Sequence, residues 1–268
     1  MSVIRKLACV ILALVLVASL AAGWLAPAGY ATQFREAPNA PPSRQHWLGT
    51  DEIGRDLFSR TLYGTRISLL LAPAAALLST LVAALIGGLA GYLGGIWERV
   101  AMGITDLVLS LPWLFLLITV RALLPLNVSP LVSVLVTFFV LGLLGWAASA
   151  RVLCAGARAL RNSGLLLQAR ALGMHGFRLF AIHVVPNLKQ VLYAQFWISI
   201  PVFILSEANL GILGLGVAEP MPSWGSLLKE LEGLTSLGEQ PWKLVPLLLL
   251  ILVVTSFQLA LSHEEVPA

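Results

Sequence analysis

Long apolar stretches alternate with short polar segments along the whole chain. Each stretch is about as long as the 20 mainly apolar residues that a membrane-spanning helix needs. The apolar runs 100–120 and 190–218 each contain a single charge, Asp106 and Glu207, and the other runs contain none. The pattern predicts six transmembrane helices. Their predicted bounds are 7–26, 68–92, 101–123, 130–150, 190–212 and 243–262.

The composition supports a membrane protein. Hydrophobic residues make up 58% of the 268 residues, charged residues 11%, and the mean hydropathy is +0.89. Soluble domains carry about 25% charged residues, so an ordinary soluble enzyme and a disordered chain are both excluded. The net charge of +4 indicates a bias toward the cytoplasmic membrane face rather than nucleic-acid binding. The expected fold class is all-α and polytopic.

The first apolar run has two interpretations. Arg5 and Lys6 precede it, and small residues around Ala21 follow, as in a cleaved secretory signal. The uncharged run of about 20 residues is long for a signal peptide, which favours a retained helix within residues 1–27. Arg5 and Lys6, together with the six basic residues of 151–189, predict a cytoplasmic N-terminus.

Residues 28–66 form the expected external loop. A proline-rich part comes first, and residues 46–62 then carry apolar side chains four positions apart. Asp51–Arg55 and Asp56–Arg60 have the i,i+4 order that favours ion pairing on a helix. We expect an amphipathic helix at the membrane interface before the second span. A solvated connector is the alternative.

The polar segment 151–189 is patterned as two short helices. Leu165, Leu166, Ala169 and Leu172 form an apolar stripe, and Gly173 follows as a C-cap. The second helix should run from about residue 175 to 183 and end before Val185-Pro186. The stripe either docks on a cytoplasmic partner or packs against the chain's own spans, and the pattern leaves both open.

Few residues suggest chemistry at a site. Asp106 and Glu207 lie inside apolar stretches, where a carboxylate faces a cavity or a partner, or stabilises a helix end. Trp224, in a turn with two prolines, is either an interfacial anchor or part of a docking surface. The two cysteines and four histidines have no metal-ligand spacing, and no G-x-x-x-x-G-K-[ST] is present. The chain is therefore not expected to be an enzyme.

Several short motifs occur in order between residues 46 and 246 and together resemble a known family. The resemblance is to permease subunits of binding-protein-dependent ABC importers, in the dipeptide/oligopeptide/nickel group. The motifs are residues 48–56 (LGTDEIGRD), 91–95 (GYLGG), Asp106 with Pro112, 169–173 (ARALG), His183 with Pro186, Glu207-Ala208, 213–216 (LGLG) and 222–225 (PSWG).

The resemblance implies a permease core at 67–262 that imports a small solute, either peptide-like or a nickel or other metal chelate. The expected partners are a second permease, two cytoplasmic ATPases that use ATP and Mg²⁺, and an external binding protein. This chain itself would bind no cofactor. Residues 151–189 would be the coupling loop, which the ATPases move. Its coupling residues would be Leu165, Gln168, Ala169, Arg170, Leu172, Gly173, His183 and Pro186.

Two further sets of residues follow from the resemblance. The translocation pathway would involve Asp106, Pro112 and Glu207, and the external motif would comprise Asp51, Arg55, Asp56 and Trp224. A stand-alone carrier that uses Asp106 and Glu207 as ion sites remains the alternative function. An intramembrane hydrolase is disfavoured, because nothing in the spacing brings the two carboxylates together.

The coupling loop departs from the family pattern. Leu167 stands where the family has its loop glutamate, and Gln168 stands at its first alanine. Asn162, Ser163 and Gly164 replace the usual charged residues, and the usual Gly-Asp and Arg-Asp near the C-terminus are missing. A degenerate or specialised subunit is one interpretation of these departures.

Overall fold

The chain is mainly helical in the part that the computed structural model describes, residues 3–123, 128–231 and 240–261. Within those ranges no strand occurs, and the two isolated bridges join Gln33 to Arg55 and Thr50 to Asp56. The α-helices are α1 (Val3–Leu20), α2 (Ala22–Leu25), α3 (Leu57–Ala83), α4 (Leu89–Leu93), α5 (Gly95–Ser110), α6 (Trp113–Leu123), α7 (Pro130–Leu144), α8 (Trp146–Arg161), α9 (Gly164–Ala171), α10 (Gly176–Leu179), α11 (Val185–Ile212), α12 (Trp224–Lys229) and α13 (Val245–Leu261).

Among the described residues, five helical segments are long and apolar enough to cross a membrane, and a bent pair of helices brings the number to six. The five segments are Val3–Leu20, Leu57–Leu93, Pro130–Arg161, Gly176–Ile212 and Pro241–Leu261. All predicted spans therefore have a helical counterpart, but three of the helices run about ten residues or more beyond the predicted bounds. Ser262, the last residue of the predicted sixth span, and the C-terminal residues 263–268 lie outside the described ranges.

The third predicted span is not one straight helix. Helix α5 ends at Ser110, α6 begins at Trp113, and the two are bent by 88°. Pro112 explains the break, because the residue before a proline is driven out of the α conformation. Leu111 accordingly has an extended ψ of 133°.

Two segments contain π-turns, Ala84–Gly88 between α3 and α4 and Phe180–Val184 between α10 and α11. The predicted helix end before Pro186 is wrong, since the helix continues through this proline into α11. Proline removes one N–H and crowds the preceding turn. The wider π-turn directly before Pro186 relieves that conflict.

The described residues divide into two units. The first comprises Met1–Ala72, Arg121–Phe138 and Pro201–Ala268, and in it α1 and α12 both pack against α13. Gly211 approaches Gly225 so closely that a Cβ on Gly211 would overlap the Gly225 backbone. Small residues allow such close contacts between helices.

The second unit comprises Pro73–Val120 and Phe139–Ile200. Here the first π-turn, α4 and α5 pack along α8. A Cβ on Gly87 or Gly91 would overlap the backbone carbonyl of Ala150 or Cys154. The late glycines of the second span therefore serve helix packing.

The expected amphipathic helix at 46–62 is wrong, because no helix forms between Leu25 and Leu57. The Asp51 carboxylate accepts the backbone N–H groups of Ile53 (3.0 Å) and Arg55 (2.8 Å), which fixes a turn. Gly54 has a φ of +81°, and a Cβ there would overlap the Phe34 carbonyl. Both features prevent a helix from forming in this segment.

Candidate functional site

The loop between α8 and α11 contains two short helices, α9 and α10, and α9 carries most of the predicted apolar stripe. Gly173 has a φ of +83° and donates its N–H to the Arg170 carbonyl (2.9 Å). The next N–H, that of Met174, bonds the Ala169 carbonyl (3.1 Å). Together these bonds make a Schellman motif, which confirms the predicted C-cap at Gly173.

One side of α9 packs against its own spans. Leu166 and Ala169 are buried in a cluster with Tyr92, Phe180 and other residues of the second unit. The remaining buried members of the cluster are Ala157, Leu179, Val184 and Leu188. The alternative in which the apolar stripe packs back onto the chain therefore holds for Leu166 and Ala169.

The other side of the loop is exposed and still apolar. Leu172 is 84% exposed and Phe177 is 72% exposed, and Leu165 and Leu167 are exposed as well. Gln168 lies among them, and the half-buried Arg170 and the exposed Arg178 add positive charge. The loop thus has a packed side and an apolar side that no described residue covers. His183 is half-buried in the π-turn, and Pro186 is exposed.

The corner between α4 and α5, residues 92–98, contacts both ends of this loop. The Tyr92 hydroxyl donates to the Gly176 carbonyl (3.0 Å) at the end that leads into α10. Glu98 accepts hydrogen bonds from Arg158 (3.0 Å) and Arg161 (3.4 Å) at the end of α8. Neither contact could be predicted from the sequence, because Tyr92 and Glu98 are distant from the loop along the chain.

Asp106 and Pro112 lie on an exposed part of the second unit. Asp106, in α5, pairs with Arg151 of α8, and both side chains are more than half exposed. Pro112 is exposed at the break between α5 and α6. The role of both residues in a translocation pathway stays a prediction.

Glu207, in contrast, is fully buried within the first unit. Its Oε2 accepts the Ser68 hydroxyl (3.3 Å) and the backbone N–H of Gly225 (3.4 Å). The Ser68 oxygen also accepts the N–H of Trp224 (3.4 Å). Glu207 therefore joins α3, α11 and the start of α12, and its proposed pathway role stays a prediction.

Five charged side chains of the first unit form what we call the ion network: Asp51, Arg55, Arg60, Glu219 and Glu230. Arg55 pairs with Asp51, Glu219 and Glu230, which includes the predicted Asp51–Arg55 pair. Arg60 is fully buried and pairs with Glu230, and its Nε lies 3.7 Å from Asp51 Oδ2. The network connects the turn at 51–55, the start of α3 and the residues on both sides of α12.

Burial and the ion pairs change the pKa of two members of the network, Arg55 and Glu230. Burial lowers the pKa of Arg55, but hydrogen bonds to Asp51 and Glu219 outweigh burial, so the pKa is raised overall. Burial raises the pKa of Glu230 to about 7, because the attraction of Arg60 offsets only part of that cost. A cavity of about 640 Å³ adjoins the network, and Lys229 and Lys243 also line it.

The remaining two residues of the external motif have local roles. Asp56 does not pair with Arg60, so this predicted pair is wrong. Instead, Asp56 caps α3 by accepting the Ser59 N–H (2.8 Å), and its Oδ2 lies 2.9 Å from His46 Nδ1. Trp224 is fully buried at the start of α12, which excludes the interfacial anchor.

This arrangement offers contact surfaces and ion pairs rather than reaction chemistry. Among the described residues, no group of three or more His, Cys, Asp or Glu side chains is placed to hold a metal ion. Sequence reasoning missed Arg60, Glu219 and Glu230 as network members. The only available signal was their charge beside apolar segments, because Glu219 and Glu230 are more than 150 residues from their partners.

Comparison with known proteins gives concordant results. The family described as "Binding-protein-dependent transport system inner membrane component" matches residues 83–263. The oligopeptide transport system permease protein OppC of Bacillus subtilis (strain 168) is 32% identical over 235 residues, 88% of this chain and 74% of that protein. The dipeptide transport system permease protein DppC of the same organism is 32% identical over 219 residues, 82% of this chain and 66% of that protein. OppC of Mycobacterium tuberculosis (strain ATCC 25618 / H37Rv) is 34% identical over 217 residues, 80% of this chain and 72% of that protein.

Proposed function

Because the chain belongs to the binding-protein-dependent inner membrane components, as an ABC-importer permease of the dipeptide/oligopeptide group, we propose that it carries a small peptide across the membrane in an ATP-driven cycle. The peptide would arrive on an external binding protein. The names of the relatives favour a peptide over the nickel or metal chelate that the resemblance also allows.

The chain would act within a larger assembly. We expect a second, different permease subunit and two cytoplasmic ATPases that bind ATP and Mg²⁺, with no cofactor on this chain. The N-terminus would be cytoplasmic, because Arg5 and Lys6 precede the first span and basic residues concentrate in 151–189. The ion network would then lie on the external side.

The observation that carries this proposal is the two-sided coupling loop. Leu166 and Ala169 fix α9 to the spans, while Leu172 and Phe177 stay exposed on the loop. Exposed apolar side chains on a helical segment are typical of helix-in-groove recognition. The ATPases would provide that groove.

The loop would transmit movement. Closure of the ATPases on ATP would push the loop and favour the outward-open state, and hydrolysis would reset it. Leu167, in place of the family's glutamate, is 56% exposed and would make an apolar rather than an ionic contact. On this proposal the loop couples despite its altered sequence.

Co-purification with the ATPases of the same transporter in mild detergent tests the proposal. The intact chain should retain the ATPases, and a chain with residues 163–178 replaced by Gly/Ser should lose them. Phe177→Ser should weaken retention as well, because it removes an exposed apolar contact. Trp47→Ser is the matched control, since Trp47 is 57% exposed but lies in the 28–56 loop. Equal retention by the intact and Gly/Ser chains would contradict the proposal.

A further inference from the structure

The corner at residues 92–98 holds the coupling loop at both of its ends. At the α10 end, the Tyr92 hydroxyl donates to the Gly176 carbonyl. At the α8 end, Glu98 accepts from Arg158 and Arg161. Two contacts that are 15 to 18 residues apart along the loop therefore converge on seven residues of one corner.

The corner has a defined backbone shape. Gly94 and Gly95 have φ values of +72° and +62°, a region that favours glycine. A Cβ on Gly94 would overlap the Arg161 guanidinium. Arg161 thus lies directly against the backbone of the corner, where Glu98 (14% exposed) pairs with it.

The loop itself contains two glycines whose backbone can rotate. Gly173 and Gly176 both have positive φ, and a Cβ on either would have no neighbour within 4 Å. The turns at Gly173 and Gly176 are therefore not held by packing against surrounding side chains. The Tyr92 ring is mostly buried and lies 5.6 Å from the Phe180 ring, so its hydroxyl is held at a fixed position beside Gly176.

We propose that Tyr92 and Glu98 are positioning residues that clamp the coupling loop at both ends, so that the loop and the α4–α5 corner move as one body. This inference rests on the proposed function. Without the clamp, a push on α9 would be absorbed by rotation at Gly173 and Gly176. The ATPases would still dock and hydrolyse ATP, because the exposed side of the loop is unchanged.

The test uses the complete transporter in proteoliposomes. Cys9 and Cys154 are replaced by Ala, and Glu52→Cys provides a reporter, since Glu52 is exposed in the 28–56 loop. The rate at which a membrane-impermeant maleimide labels this cysteine is compared with and without ATP plus vanadate. ATP hydrolysis and ATPase retention are measured in parallel. The variants are Tyr92→Phe, Glu98→Gln and the double variant, with Tyr193→Phe as the matched control because Tyr193 is 65% exposed.

In the parent transporter, nucleotide should change the labelling rate. Tyr92→Phe and Glu98→Gln should each reduce that change about fivefold, as expected for one lost hydrogen bond, while ATPase retention stays the same. Because freeing one end of the loop is sufficient to uncouple it, the double variant should reduce the change in labelling rate little more than either single variant does. Two independent structural defects would instead multiply their separate reductions.

Other outcomes would overturn the clamp. The clamp is contradicted if Tyr92→Phe and Glu98→Gln show the same nucleotide-dependent change in labelling rate as the parent. It is also contradicted if Tyr193→Phe reduces that change as much as they do. The clamp is likewise contradicted if the parent retains its ATPases but nucleotide does not change its labelling rate, because the loop would then have no movement to transmit. Loss of ATPase retention by the intact chain would instead contradict the proposed function.

Discussion

Replacement of Arg60 by methionine should destabilise the first unit more than any exposed charge change. Arg60 is fully buried, and its guanidinium pairs with Glu230 and faces Asp51. Arg60→Met keeps most of the side-chain volume but removes the charge. Glu230 and Asp51 would then have to share Arg55 with Glu219.

The magnitude follows from burial. Removing one partner of a buried ion pair costs about 3–5 kcal/mol, because the other charge stays desolvated. Glu230 is 26% exposed and Glu219 is 53% exposed, so water relieves part of that penalty. We therefore expect a loss near the lower limit, about 3 kcal/mol, for Arg60→Met. Lys229→Met, which removes an exposed charge beside Glu230, should cost less than about 0.5 kcal/mol.

The pH dependence provides a second check. The folded state raises the pKa of Glu230 from 4.5 to about 7, so folding favours its protonated form. The resulting stability is fully present below pH 4.5 and is lost as the pH rises through about 7. A protonated Glu230 needs no cationic partner. The deficit of Arg60→Met should therefore be smaller at pH 5 than at pH 8.

Thermal unfolding in detergent, followed by tryptophan fluorescence at both pH values, measures these effects. A clear loss for Arg60→Met at pH 8, with Lys229→Met near the parent, is the expected result. The reasoning is refuted if the two variants lose the same stability, or if the Arg60→Met deficit grows toward pH 5.

Three further predictions concern other parts of the chain. Gly173→Val should cost roughly 1–2 kcal/mol at its left-handed φ, leave membrane insertion intact and separate ATP hydrolysis from uptake; normal uptake in a transport assay would contradict this. Gly211→Ala should lower the thermal stability by about 1–3 kcal/mol, because its Cβ overlaps Gly225, whereas Gly103→Ala, with open space around it, should not. Glu207→Gln should preserve uptake within about twofold and leave the pH dependence of uptake as in the parent, because the amide oxygen still accepts both hydrogen bonds. Loss of a pH dependence that the parent shows would support the carrier instead.

The helices were predictable from the sequence because burial in lipid requires long apolar runs, and those runs are visible one segment at a time. Gly173 was predictable for a similar reason, since its cap depends only on bonds from residues 173 and 174 to the carbonyls of Arg170 and Ala169. The helix ends were not, because α3 and the helix that starts at Gly176 continue beyond their apolar parts.

The failures have local and distant causes. The helix at 46–62 was a reasonable inference from spacing, but the Asp51 side chain competes for the backbone and Gly54 adopts a left-handed conformation. The partners of Arg60 could not be inferred, because ion pairs across 170 residues leave no periodic pattern. The corner contacts of Tyr92 and Glu98 were hidden for the same reason.

The two π-turns also constrain how this chain tolerates a change in length. Each π-turn accommodates one residue more than an α-helical turn, and deletion of a single residue from Phe180–Val184 would convert it to regular helix. Because a π-turn and an α-turn each complete about one rotation, the residues before the deletion would keep nearly the same faces relative to α11. Phe180, which lies 3.6 Å from a Cβ position on Gly88 in the other π-turn, would therefore stay on the side of the helix that faces Gly88. A single-residue deletion within Phe180–Val184 should therefore be better tolerated than a deletion inside a regular helix, where each residue accounts for about 100° of rotation.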